Sequence, residues 1–438
     1  MKRIPDIIPA LMLLAGSFAA ADTAYSLDNW QQWRGPKNDG VASGDAPAEF
    51  SATQNVKWRV PIPGKGNSTP VIWGDRIFLT TAVPTEAISG SGDQRGPGGG
   101  TGAGVEHKFV VMAIDKSSGK TIWERTATVT KPHEGYHHQY GSFASNSPVT
   151  DGATLFAYFG SRGIYAYDLD GNLKWKRDLP VKMQKRLAFG EGTAPVVHEN
   201  VLLLNCDHEG QSFLLALNKN TGEQLWRTDR DEQSSWTPPL VVEHQGRKQI
   251  VVGGAMARSY DFKTGELIWQ AGKMGANAIP APVQFGDMVI LMTGYRDPNL
   301  LAIKLGGKGD LSDNPEYIKW TNDRGNSYSA SPVLHDGILY VLTDRGMISA
   351  FDAATGEKYY HQQRLPNPYT FKGSPLAANG KLYMASEEGD VIVLKLGKTY
   401  EPLAVNKMGD EIFISSPIIV DNNLFLRSQD ELFCISKM

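Results

Sequence analysis

Four of the nine histidines in this 438-residue chain, His133, His137, His138 and His208, fall in two short stretches, and His208 stands between Asp207 and Glu209. Neutral imidazole beside carboxylate is a donor set for a divalent metal. His137, His138, Asp207, His208 and Glu209 are therefore candidate ligands. Their spacing matches no fixed motif such as H-E-x-x-H, and a polar rim of hydrogen bonds and ion pairs accounts for the same residues. A second set is cationic. Arg162, Arg258, Arg296 and Arg345 recur at equivalent points of separate segments. Guanidinium groups grip carboxylates bidentately, so the four can hold a carboxylated ligand, or each can pair with an acid such as Asp207, Asp297 or Glu387. Trp236 can stack on a planar ligand or plug an opening. No nucleophile triad or glycosidase carboxylate pair can be assigned from residue order. The catalytic residues stay unknown, and with them whether the chain is an enzyme.

The elements that must position these residues repeat. Eight prolines, Pro70, Pro148, Pro195, Pro238, Pro282, Pro332, Pro375 and Pro417, each follow a serine, threonine or alanine and open an alternating apolar run. Most stand about 42 to 50 residues apart, the length of one four-stranded propeller blade. The second half of each unit is sharper. Asp115, Gly119 and Trp123 have the spacing of Asn218, Gly222 and Trp226, of Asp261, Gly265 and Trp269, and of Asp352, Gly356 and Tyr360. A shorter version holds Asp168, Gly171 and Trp175, and a version ending at Trp320 is interrupted by the polar insert 306–316. The carboxylate or amide bonds forward to turn amides, and glycine supplies the positive φ of a tight hairpin. Repeated once per blade, the tryptophan is a structural wedge between neighbours.

These patterns predict an all-β, eight-bladed β-propeller of four-stranded antiparallel blades, with seven blades as the alternative if one anchor opens no blade. After Pro417 only three strands remain, so the Trp58 segment should complete the last blade and remove an exposed edge. Loops entering the inner strands and loops joining second to third strands share one face at the channel mouth. Ligands bind in such places. Residues 131–140, Glu191, Ser235–Trp236, Asn277, Asn326–Tyr328 and Tyr369 belong to the first kind of loop. The insertion 89–104 is half glycine and reads as a flexible loop without a phosphate-binding ending.

Lys2 and Arg3, an apolar run from Ala10 to Phe18 and then Ala19–Ala21 describe an export signal cleaved near Ala21. The run is too short for a permanent span, and no lipid-anchor cysteine follows it. The expectation is a soluble monomer, periplasmic or secreted, with one domain over 22–438. Cys206 and Cys434 are the only cysteines and sit in apolar runs, so free buried thiols are expected, and no C-x-x-C-H haem site exists. Formal charge is −3, which offers nothing to attract nucleic acid or an anionic membrane.

The repeat A-x-D-x-x-T-G-x-x-x-W resembles the tryptophan-docking motif of the pyrroloquinoline-quinone (PQQ) alcohol dehydrogenases and is similar to the repeats of BamB, an outer-membrane assembly lipoprotein. Trp30 to Gly40 resembles the N-terminal signature of exported PQQ-like propellers. The likeness covers nearly all of the chain after residue 21 and implies the fold. PQQ with calcium is implied as a cofactor by resemblance only, since the adjacent cysteines of the dehydrogenases are missing and their calcium ligands and catalytic aspartate cannot be carried across. Two readings follow. One is a non-catalytic scaffold binding a protein, glycan or small ligand at the loop face; the other is a divergent PQQ-dependent dehydrogenase.

Overall fold

Each anchor proline opens the innermost strand of a four-stranded antiparallel sheet, where its missing N–H costs no ladder bond. The computed structural model describes residues 29–88, 100–296 and 298–437; the expected signal segment, most of the glycine-rich insertion and Asp297 lie outside them. Blade 1 runs Val71–Trp73, Arg76–Pro84, His107–Asp115 and Thr121–Thr130. Blades 2 to 7 begin at Val149, Val196, Leu240, Val283, Val333 and Leu376. Blade 8 takes Ile418–Val420, Asn423–Arg427 and Glu431–Ile435 from the C-terminal end and Val56–Pro61 from near the start. Eight blades result, and the seven-bladed alternative is set aside.

The residue before five of the eight prolines has a task the sequence pattern did not disclose. Its hydroxyl accepts a backbone N–H from the preceding blade. Ala281 donates to Ser331 Oγ at 2.9 Å, Ser331 to Ser374 at 2.9 Å and Ser374 to Ser416 at 3.0 Å. Ser416 then donates to Thr69 Oγ1 at 3.1 Å, and Thr69 to Ser147 at 2.9 Å. Five hydroxyls thus lace six consecutive blades around the axis. Such buried amides need a partner.

Farther out, apolar side chains fill the gaps between blades. The second strand of blade 3, Val201–Cys206, is buried along its whole length, while its outer strand Gln224–Arg230 alternates. This is the pattern of inner strands packed on both faces and outer strands on one. The tryptophans dock as wedges. The indole N–H of Trp123 reaches Leu169 O at 2.9 Å, that of Trp175 Lys219 O at 2.9 Å, that of Trp226 Phe262 O at 3.3 Å, and that of Trp320 Ala353 O at 3.1 Å. Each ring lies on the turn glycine of the next blade: a Cβ on Gly222, whose φ is +75°, would stand 2.7 Å from Trp175. Glycine is required there twice over, by its conformation and by the approach of the ring.

Trp269 departs from this role. Its indole N–H turns back to Gln249 Oε1 of its own blade at 3.3 Å. The insert 306–316 interrupts the turn on which it would dock, and Gly309–Asp310 pairs parallel with its strand instead. Trp269 is fully buried.

Closure matches expectation and goes further. Val56–Pro61 pairs antiparallel with Glu431–Ile435, and Trp58 docks on blade 1 through Lys116 O at 3.1 Å. Arg427, fully buried, clasps Ser68 O at 2.7 Å, Ser68 Oγ and Thr80 O at 2.9 Å across the same seam. The segment from Trp30 to Gly40 crosses the axis at the far end of the inner strands. Trp30 pairs with Ile72, Thr150 N donates to Gln31 O, and Ala377 N donates to Gly40 O. The buried Arg34 guanidinium ties Pro332 O and Pro375 O of blades 6 and 7, both at 3.0 Å. Among the described residues no helix is long and apolar enough to cross a membrane. Cys206 and Cys434 are free and buried, and burial pushes both thiols up to about 12.

Candidate functional site

Residues just ahead of the inner strands converge on the axis and enclose a cavity of about 180 Å³ that opens on the loop face. Every blade contributes: Asn67 and Thr69, Ser147, Glu191, Trp236, Ile279, Tyr328, Lys372 and Ser416 in blade order. Trp33, from the segment that crosses the axis, joins the wall and donates its indole N–H to Ser416 Oγ at 3.3 Å.

Charges at the mouth are already committed to one another. Lys372 Nζ donates a hydrogen bond to Asp344 Oδ2 at 2.8 Å, lies 3.8 Å from Glu387 and stands 4.9 Å over the Tyr140 ring. Glu191 accepts from Ser161 N at 2.6 Å and Ser161 Oγ at 3.1 Å, and pairs with Arg162 at 2.7 Å. Arg162 is nearly buried between that carboxylate and the rings of Phe109 and Phe143. Arg258 is likewise held by Glu232 and Asp231 O. Arg296 is exposed and lies over Tyr295, while Arg345 is exposed. The four arginines therefore sit in two conditions, two locked in ion pairs and two facing solvent, and none lines the cavity. Trp236 does line it, half-buried, with its N–H on Gly190 O at 2.8 Å and Phe189 tilted beside it at 6.3 Å.

The structure does not bring the five metal candidates to one point. Asp207 is fully buried and bonded to Arg230 at 2.8 and 3.1 Å, to Ser235 Oγ at 2.6 Å and to Asn205 at 3.1 Å. His208 is occupied by Gln211 O at 3.0 Å and Gly210 N at 3.1 Å, and Glu209 accepts from Ser234 N at 3.4 Å. His137 stacks flat on Tyr140 at 3.8 Å and beside His138 at 4.7 Å. Among the described residues no group of three or more histidine, cysteine or acidic side chains is placed to hold a metal ion.

Sequence reasoning passed over several wall residues. Tyr140 and Tyr328 stood in segments expected at the mouth but carried no motif; Trp33 belonged to the N-terminal signature without being placed at the mouth, and Phe189 and Lys372 gave no signal at all. Glu134 was also missed. It is buried, its carboxylate accepts, among the described residues, only the Lys185 amide at 3.1 and 3.3 Å, and burial pushes it up to about 7. Beside it His133 bonds Met183 O at 2.9 Å, so adjacent side chains of one loop pin the loop of the next blade. Lys185 is buried, with its ammonium on Asp207 O and Ser235 O, and burial lowers its pKa.

This wall does not fit PQQ with calcium. Its one carboxylate, Glu191, is already satisfied by Arg162 and Ser161.

The family described as outer membrane protein assembly factor BamB matches residues 107–289 and, overlapping them, 258–437. The BamB of Yersinia pestis is 22% identical over 363 residues, covering 79% of this chain and 73% of that protein. Among solved structures, BamB from Moraxella catarrhalis superposes with a TM-score of 0.58 at 12% identity, over 87% of this chain and 97% of that one. The quinohemoprotein alcohol dehydrogenase of Comamonas testosteroni gives 0.61 at 11% identity, over 95% and 82%. Such distant superpositions establish the fold alone. With the docked tryptophans, the eight closed blades and the match over most of its length, the chain belongs to the PQQ-like β-propeller family of outer membrane protein assembly factor BamB.

Proposed function

We propose that this chain is an exported, non-catalytic scaffold that binds a protein or small ligand through its loop face and channel mouth. One observation carries the reading: the charged side chains lining the cavity, Glu191 and Lys372, are paired with residues of the chain itself. Catalytic acids and bases need a free, perturbed group in reach of a substrate, whereas a binding face needs rigid walls and mobile loops on a fixed frame. The BamB relatives support the same reading. Residues 1–21 would direct export to the periplasm or beyond, and the protein acts there as a monomer. The dehydrogenase alternative draws support from the quinohemoprotein neighbour, but the wall geometry opposes it.

A photo-crosslinking residue at Arg345 or Arg296, both exposed on the loop face, tests the proposal in living cells. A discrete adduct from these positions, absent when the crosslinker replaces Leu225 on the outer circumference, is expected. Adducts from Leu225 alone, or no adduct from the loop face, would overturn it.

A further inference from the structure

We propose that Glu134 is a pH-sensitive latch on the channel mouth: protonated, it clamps the loop 183–188 ahead of the next blade, and ionised, it lets that loop open. The latch adds control to the binding-scaffold reading and rests on that reading only for its purpose.

The contact suits a neutral carboxyl. Glu134 is 4% exposed, and among the described residues its two oxygens share one donor, the Lys185 main-chain N–H, at 3.1 and 3.3 Å. An ionised carboxylate has about four acceptor sites, so this pairing leaves a buried charge largely unmet, which is costly. Three charged groups act on it from the elements around it. Lys185 and Arg162 favour the anion, and Glu191 opposes it. Both cations are committed elsewhere: the Lys185 ammonium lies on Asp207 O and Ser235 O, and Arg162 pairs with Glu191 at 2.7 Å. Burial outweighs them and holds the proton up to about 7, against 4.5 for a free glutamate.

The clamped loop needs holding. Leu187 and Ala188 both have left-handed φ, +52° and +53°, which side-chain-bearing residues keep only where their surroundings impose it. Leu187 is 47% exposed, so its burial does not impose it. Hydrogen bonds do. Met183 N donates to Ser161 Oγ at 2.8 Å, Arg186 N to Ser234 Oγ at 3.0 Å, and Lys185 N to Glu134. Of these three acceptors only Glu134 titrates; His133 adds a contact to Met183 O at 2.9 Å. The chain then runs directly into Phe189, Gly190 and Glu191 of the cavity wall, where Gly190 O receives the Trp236 indole N–H at 2.8 Å. Opening at 183–188 therefore loosens one side of the mouth.

Hydrogen exchange on the whole purified protein, followed from about pH 5 to 9 and corrected for the intrinsic rate at each pH, tests the latch. Opening releases one proton, so the corrected rate across 183–188 should rise about tenfold between pH 6 and 8 and level off above that. Glu134→Gln keeps an acceptor for Lys185 N and cannot ionise, so its corrected rate should stay flat. The buried strand Val201–Cys206 should not respond in either protein. A wild-type profile without the rise, or one that climbs steadily past pH 8, would overturn the proposal. So would the same rise in Glu134→Gln, which would assign it to His133, or an equal rise at Val201–Cys206, which would mark opening of the whole blade. The wild-type profile decides alone should the variant fail to fold. No ligand is needed, so the latch can fail while the Arg345 adduct persists, and the adduct can fail while the latch stands.

Discussion

At the scale of single residues, polar side chains that looked chemical in the sequence are mostly structural. Asp207 was a candidate ligand because it precedes His208, yet it is bonded to Arg230 and both side chains are fully buried. Asp207→Ala should cost about 3–5 kcal/mol, because it strands a buried guanidinium; urea unfolding measures the loss, and added calcium or zinc should shift neither protein's melting temperature. The sequence could show which polar residues lie near the mouth but not which of them face one another. Arg162 and Glu191 are 29 residues apart in the chain and 2.7 Å apart in space. Glu134 makes a pH-dependent prediction. Its folded pKa, about 7, lies above the ordinary carboxylate value, so between about pH 4.5 and 7 the folded state holds a proton that the unfolded chain has lost. Stability from this group is greatest at low pH and falls as pH rises through 7. Glu134→Gln should therefore raise the melting temperature at pH 8 and leave it nearly unchanged at pH 4, as read by thermal denaturation.

Elements were far more legible, because their periodicity is repeated eight times. Proline anchors, turn glycines and docking tryptophans each report a backbone requirement that no neighbour can override, so blade number and strand order follow from them. Trp269 shows the limit. Its local motif is complete, but the turn it would meet is displaced by the insert 306–316, a fact about the next blade. The docking account predicts a sharp contrast within one kind of strand. Trp123→Ala should cost about 3–5 kcal/mol, whereas Leu225→Ala, at a position 46% exposed, should cost no more than about 0.5 kcal/mol. Gly222→Ala should lose about 2 kcal/mol or more, from the left-handed φ and the contact with Trp175. Chemical denaturation of the three variants checks all three values.

For the whole molecule, ring closure joins residues from opposite ends of the chain. The strand pairing was foreseeable from the missing fourth strand; the Arg427 clasp and the Trp30–Gly40 crossing were not, since neither follows the repeat. Arg427 bonds only carbonyl and hydroxyl oxygens, and burial holds its pKa down to about 9. Arg427→Met should cost about 2–4 kcal/mol and speed hydrogen exchange at Val56–Pro61 and Glu431–Ile435 before any other blade. On the proposed scaffold reading, the internally paired charges at the mouth set this chain apart from a PQQ-dependent enzyme. Calorimetric titration of the purified protein with PQQ in the presence of calcium probes that separation directly. The account predicts no saturable heat; one-to-one binding of PQQ would contradict it.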